Sequence, residues 1–76
     1  MELLNMLESK LNETRKVKLK IYALEYFIEL DNNEYIIYPE LYMNRKSKYK
    51  SLKELFEEYT IYNENLLSNI SRIKII

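Results

Sequence analysis

The chain contains no cysteine, no histidine and no glycine. Without cysteine it forms no disulfide and supplies no thiolate to a metal or a substrate, and without histidine it has no imidazole base. Together these absences exclude zinc fingers and both Ser/His and Cys/His catalysis. Without glycine there is no phosphate loop, no dinucleotide fingerprint and no nucleophile elbow, because each needs backbone that only glycine accommodates. Proline occurs once, at position 39, and aspartate once, at position 31. Net charge is also missing: twelve Lys and Arg balance twelve Asp and Glu, so overall charge selects no polyanionic or polycationic partner.

What is present describes a folded chain. Hydrophobic residues make up 47% of the 76 and aromatic residues 13%, too apolar for a disordered tail and enough for one modest core. Residues 1–76 therefore read as one small α+β domain. Residues 1–8 begin with an acid and carry no base, and no apolar run approaches the roughly eighteen residues that cross a bilayer. A cytoplasmic protein without a membrane partner is expected. Abundant Lys, Asn, Ile and Tyr, all with AT-rich codons, suit a low-GC bacterium or a mobile element.

Leu3, Leu4, Leu7 and Leu11 fall at helical spacing and predict a short helix over 2–12. From Val17 the period changes to two, as Val17, Leu19 and Ile21 alternate with Lys18, Lys20 and Tyr22, and a strand is expected from 17 to 30. Asp31-Asn32-Asn33-Glu34 is a turn in which Asn supplies the positive φ. A second strand, 35–44, returns. Pairing Leu30 with Tyr35 sets Ile28 against Ile37, Tyr26 against Pro39, Leu24 against Leu41 and Tyr22 against Met43, a face without charge. Pro39 marks an edge, since it has no N–H to give a ladder.

Ser51-Leu52-Lys53-Glu54 fits a capping box, and Leu52, Leu55, Phe56 and Tyr59 continue it as an amphipathic helix. Thr60-Ile61-Tyr62 interrupts the pattern. Asn63 then caps a second helix through Leu66, Leu67 and Ile70, or one helix runs from 52 to 71. Residues 73–76 have strand propensity and offer a third strand to the hairpin. The expected fold is an antiparallel hairpin or small three-stranded sheet with one N-terminal helix and one or two C-terminal helices.

Charge is segregated locally. Arg15, Lys16, Lys18 and Lys20 form one acid-free window and Arg45, Lys46, Lys48 and Lys50 another. The preferred register sets Lys20 against Arg45 and Lys18 against Ser47, so the windows meet at the open end of the hairpin, while Glu25, Glu29, Asp31, Glu34 and Glu40 take the other end. Such a cluster with tyrosines nearby suits phosphates and stacked bases, or an acidic protein surface. It equally suits solvated strand ends, or cations paired to Glu54, Glu57, Glu58 and Glu64.

The second hairpin face carries Ala23, Phe27, Ile36, Tyr38 and Tyr42 among acids and is the candidate protein interface. Either the N-terminal helix covers one face and the C-terminal helices the other, or a partner or second copy covers one of them. Glu25 and Glu40 are expected opposite each other, but a chain this small offers neither the cleft of a hydrolase nor the ligand number of a cation site. No catalytic residue, metal or cofactor is implied. Eight tyrosines suit surfaces that are dry on one side and wet on the other. The leading reading is a small noncatalytic interaction or regulatory protein, with a homodimer as the expected form. The alternative is a nucleic-acid-associated factor acting through the basic end.

Overall fold

The computed structural model describes residues 2–76. Helix α1 (Glu2–Thr14) leads into strand β1 (Lys16–Ile21), followed by β2 (Leu24–Asp31), β3 (Glu34–Pro39) and, after a 3₁₀ turn at Glu40–Tyr42, β4 (Ser47–Tyr49). Helix α2 (Leu52–Glu58) precedes a small hairpin of β5 (Thr60–Ile61) and β6 (Glu64–Asn65), a 3₁₀ segment at Leu67–Arg72 and β7 (Ile73–Ile75). The α+β class is as expected, but the sheet has five strands in the order β4-β3-β2-β1-β7, with every neighbouring pair antiparallel. No helix among the described residues is long and apolar enough to cross a membrane.

Each helix ends for a local reason. At the exit of α1, Arg15 adopts φ 66° and its N–H returns to the Leu11 carbonyl at 2.9 Å, the single-bond left-handed cap. Ser51 caps α2 as the sequence predicts, its hydroxyl accepting the Glu54 N–H at 3.1 Å, while the Glu54 carboxylate accepts from Lys50 N–H at 3.4 Å. The helix stops at Tyr59, which is extended, and Thr60 and Ile61 continue as a strand.

The expected strand 17–30 is two strands. Tyr22 and Ala23 form a two-residue turn with Tyr22 at φ 56°. The break follows from the apolar pattern itself: Val17, Leu19 and Ile21 are odd, whereas Tyr26, Ile28 and Leu30 are even, and an unbroken strand cannot change faces that way. Asn32 and Asn33 make the next hairpin as expected, both at positive φ, and Leu30↔Tyr35, Ile28↔Ile37 and Tyr26↔Pro39 pair in the expected register. Past Pro39 the chain turns out of the sheet. Leu24↔Leu41 and Tyr22↔Met43 therefore do not form, and Leu41, expected on the charge-free face, is 81% exposed.

The region after α2 also departs from a helix. Tyr62 and Asn63, at φ 54° and 65°, turn the β5–β6 hairpin, so Asn63 bends a strand pair and caps no helix. Asn65 does the capping, accepting Ser68 N–H at 2.9 Å and donating to the Glu57 carbonyl at 3.2 Å. Strand β7 then pairs with β1, through Ile21↔Ile73 and Leu19↔Ile75.

One face of the sheet bears the core. Leu7 and Leu11 of α1 and Leu52, Leu55 and Phe56 of α2 pack with Leu19, Ile21, Tyr26, Ile28, Ile37, Ile61, Leu66 and Ile73. Both helices thus lie on the same side, and neither covers the other face as a two-sided arrangement would require.

Candidate functional site

The basic windows do not meet end to end. On the uncovered face Lys16, Lys18 and Lys20 of β1 stand opposite Glu29, Phe27 and Glu25 of β2, and Lys48 of β4 stands opposite Ile36, while Ser47 pairs with Ile37 on the core face. Two strands separate the windows, which puts β1 and β4 about 14 Å apart at ordinary strand spacing. Basic β1 and β4 flank the acids of β2 and β3 across the face, and charge does not run from one end of a hairpin to the other. Arg15 lies exposed at the exit of α1, and Arg45, Lys46 and Lys50 flank β4 on the surface.

Several of these cations are engaged. Lys16 Nζ lies 3.8 Å from Glu29, and Lys18 Nζ lies 2.7 Å from Glu25 and 3.3 Å from Glu40. The two carboxylates expected to face each other therefore converge on one ammonium. Its hydrogen bond holds the Glu25 carboxyl below the usual range, and the same bond chiefly raises Lys18.

The centre of the uncovered face is closed by these long side chains. Phe27 and Tyr38 sit with ring centroids 5.6 Å apart. Lys16 Nζ lies 4.4 Å and Lys18 Nζ 5.5 Å from the Phe27 centroid, and Lys46 Nζ lies 5.1 Å from that of Tyr38. Tyr38 is 1% exposed and Ile36 7%, although no helix covers them. The Tyr38 hydroxyl donates to Glu29, and burial, reinforced by that carboxylate, pushes Tyr38 up to about 12. Of the five residues expected to form an interface, Phe27, Ile36 and Tyr38 thus turn into a self-closed lattice. Ala23 and Tyr42 are exposed, and both line a different feature.

That feature is a cleft of about 650 Å³ at the end of the sheet, where the chain swings out after Pro39. One wall is the turn residue Ala23 with the start of β2, from Leu24 to Tyr26; the other is the segment entering β4, from Arg45 to Ser47. Tyr26 and Tyr59, edge to face with centroids 6.1 Å apart, form an apolar wall, and burial pushes Tyr59 up to about 12. Outside, Leu41, Tyr42 (54% exposed) and Met43 (52% exposed) form a projecting apolar lobe, with the Arg45 guanidinium 5.0 Å from the Tyr42 centroid. Among the described residues no carboxylate lies within 4.0 Å of Arg45 or Lys46.

Two arrangements escaped the sequence reading. The cleft had one signal, Pro39 followed by the apolar Leu41-Tyr42-Met43, where a strand end precedes residues that the ladder no longer holds. The other is a clamp at the Tyr22 turn: its hydroxyl donates to Asn69 Oδ1 at 2.7 Å and accepts from Arg72 Nη1 at 3.0 Å, and its ring meets Tyr62 edge to face at 6.0 Å. Asn69 is buried, and these contacts, with its bond to the Asn65 carbonyl, satisfy its amide. The clamp holds a non-glycine residue in the left-handed region, which otherwise costs about 1–2 kcal/mol. Among the described residues no group of three or more His, Cys, Asp or Glu side chains is placed to hold a metal ion. No protein-family model matches the chain, and neither does any curated protein or solved structure.

Proposed function

We propose that the chain is a small noncatalytic interaction protein that engages another protein through the cleft at the end of its sheet and the lobe beside it. The observation that carries this reading is the projecting Leu41-Tyr42-Met43 lobe on the rim of a cleft with apolar and cationic lining. Exposed apolar groups side by side cost free energy in water and gain it when a partner covers them. The nucleic-acid reading draws less support, because Glu25, Glu29 and Glu40 intervene between the basic windows and Lys16 and Lys18 already have carboxylate partners.

The reading is tested with a Leu41→Ser/Tyr42→Ser variant, whose substitutions lie outside the core and should leave the melting temperature unchanged. The parent should retain a discrete partner from source-cell extract that this variant fails to retain. Equal retention by both would remove the lobe from the interface. A parent that light scattering shows as a dimer, and whose dimer the variant abolishes, would make the partner a second copy.

A further inference from the structure

The cleft at the end of the sheet has a dry side and a charged side. On the dry side stand Leu24, Tyr26, Pro39 and Tyr59, with the two tyrosine rings edge to face. Burial pushes both phenols up, Tyr59 to about 12, as it does where water is scarce. Pro39 brings no N–H to this wall, which offers a ligand rings and aliphatic groups rather than a ladder of donors.

The charged side is unevenly satisfied. Its acids, Glu25 and Glu40, are both held by Lys18 Nζ, at 2.7 and 3.3 Å, and Lys20 of β1 stands opposite Glu25 as well. Its cations, Arg45 and Lys46, are exposed, and their charges meet the rings of Tyr42 and Tyr38 at 5.0 and 5.1 Å. No carboxylate among the described residues comes within 4.0 Å of either. The acids are neutralised within the sheet, so what remains for a ligand is positive charge beside an apolar wall.

From these two sides we propose that the cleft binds a small aryl carboxylate. The flat apolar body lies against Tyr26 and Tyr59, and the carboxylate points at Arg45 and Lys46. An aromatic body suits this wall because rings pack offset or edge to face against tyrosine. A carboxylate suits the cations because the paired N–H groups of a guanidinium match its two oxygens. A cleft of about 650 Å³ with an apolar wall and a few converging polar groups is of the size and make that small organic ligands occupy. This goes beyond the interaction reading, since the chain alone suffices for it and no partner protein takes part.

The test uses 2-naphthoate as the probe on the full chain, with naphthalene-2-carboxamide as its uncharged counterpart and acetate as its charge without the ring. Backbone amide shifts should report naphthoate binding at or below about 1 mM, with the largest changes at residues 24–26 and 45–47. The carboxamide should bind about fivefold or more weakly, and acetate should give no saturable change. Arg45→Gln/Lys46→Gln should weaken naphthoate by a similar factor, and Lys48→Gln/Lys50→Gln should leave it unchanged. The proposal is overturned if the carboxamide binds as well as the acid, a comparison that needs no variant to fold. It is equally overturned if Arg45→Gln/Lys46→Gln binds as the parent does, if the shifts lie outside the cleft, or if nothing saturates by about 1 mM. A capped Asp-Phe-Asp peptide that shifts these amides where naphthoate fails would make the occupant a protein side chain and sink the free ligand. Failure of naphthoate leaves the interaction reading intact wherever the parent retains a partner from extract that Leu41→Ser/Tyr42→Ser loses.

Discussion

The two faces of this sheet bury apolar residues by different means. On one face Ile28 and Ile37 are fully buried beneath Phe56 and Leu55 of a helix and Leu7 and Leu11 of another. On the other, Tyr38 and Ile36 are nearly as inaccessible beneath lysine and glutamate side chains of the sheet itself. A lysine can lay its four-carbon stem over a ring and keep its ammonium in water, so a layer of charged residues can act as a cover. An apolar sheet face is therefore no proof that a partner covers it. The difference lies in rigidity: helices are fixed by their own backbone bonds, whereas stems are free to shift.

The largest effect expected from that difference is a contrast between two truncations. Phe56→Ala should cost about 3–5 kcal/mol, because its packed surroundings cannot collapse into the space. Tyr38→Ala should cost at least about 1 kcal/mol less, because mobile stems can close over the gap. Urea denaturation of both variants measures this, and equal losses would mean that the outer layer is as rigid as the core.

Removing one polar bond from the outer layer is the next smaller perturbation. Tyr38→Phe keeps the ring but leaves Glu29 without its hydroxyl donor, and should cost about 1 kcal/mol. A variant as stable as the parent would reduce that bond to an ornament of the ring packing.

Whether stem or charge closes the face is separable. Changing Lys16, Lys18 and Lys46 together to Ser should raise the binding of a hydrophobic dye and lower the melting temperature, while the same three changes to Arg should do neither. The parent in about 1 M salt, where screening reaches about 3 Å, should also bind no extra dye. A rise in dye binding with salt would show that ion pairing holds the cover in place.

Titration offers the smallest contrast. Tyr59 on the core side and Tyr38 on the outer side are both pushed up to about 12, above an ordinary value of 10.0, chiefly by burial. Their folded-state values exceed the unfolded one, so the stability they contribute is complete below pH 10.0 and is lost as pH rises toward about 12. Absorbance titration should place these two last among the tyrosines. Glu25 has the opposite sign: its lowered folded value gives stability above the ordinary 4.5 that disappears as pH falls through the folded value. Mild acid should therefore loosen the outer layer before the core. A pH dependence of stability that Glu25→Gln leaves untouched would contradict this.

Much of the fold is legible from local chemistry. The leucine spacing of α1, the Ser51 cap, the Asn32-Asn33 turn and the register around Ile28↔Ile37 each depend on residues close in sequence or directly opposed. The turn at Tyr22 was readable as well, in the change from odd to even apolar positions, but no turn residue marks it and its support comes from Asn69 and Arg72, far along the chain. The β5–β6 hairpin is similar, since Tyr62 and Asn63 bend where a glycine-free chain offers no usual punctuation. The candidate interface was readable as a set of exposed-face residues, not as a surface, because pattern gives direction without saying which long neighbours lie across it. The cleft was hidden because it is the space left where β3 ends, and a void has no residue of its own.

The order of the sheet also governs how the chain can be made. Strands β1 to β4 are consecutive, so each finds its neighbour as soon as it is synthesised, and such local pairing closes quickly. The exception is the far side of β1, whose partner β7 lies beyond everything else in the fold. Until residues 73–75 leave the ribosome, Leu19 to Ile21 present unpaired backbone beside some of the most apolar side chains in the molecule, an edge on which two unfinished copies can pair. The lysines at 18 and 20 flank that edge, and their charges repel an identical neighbour during the interval before β7 arrives.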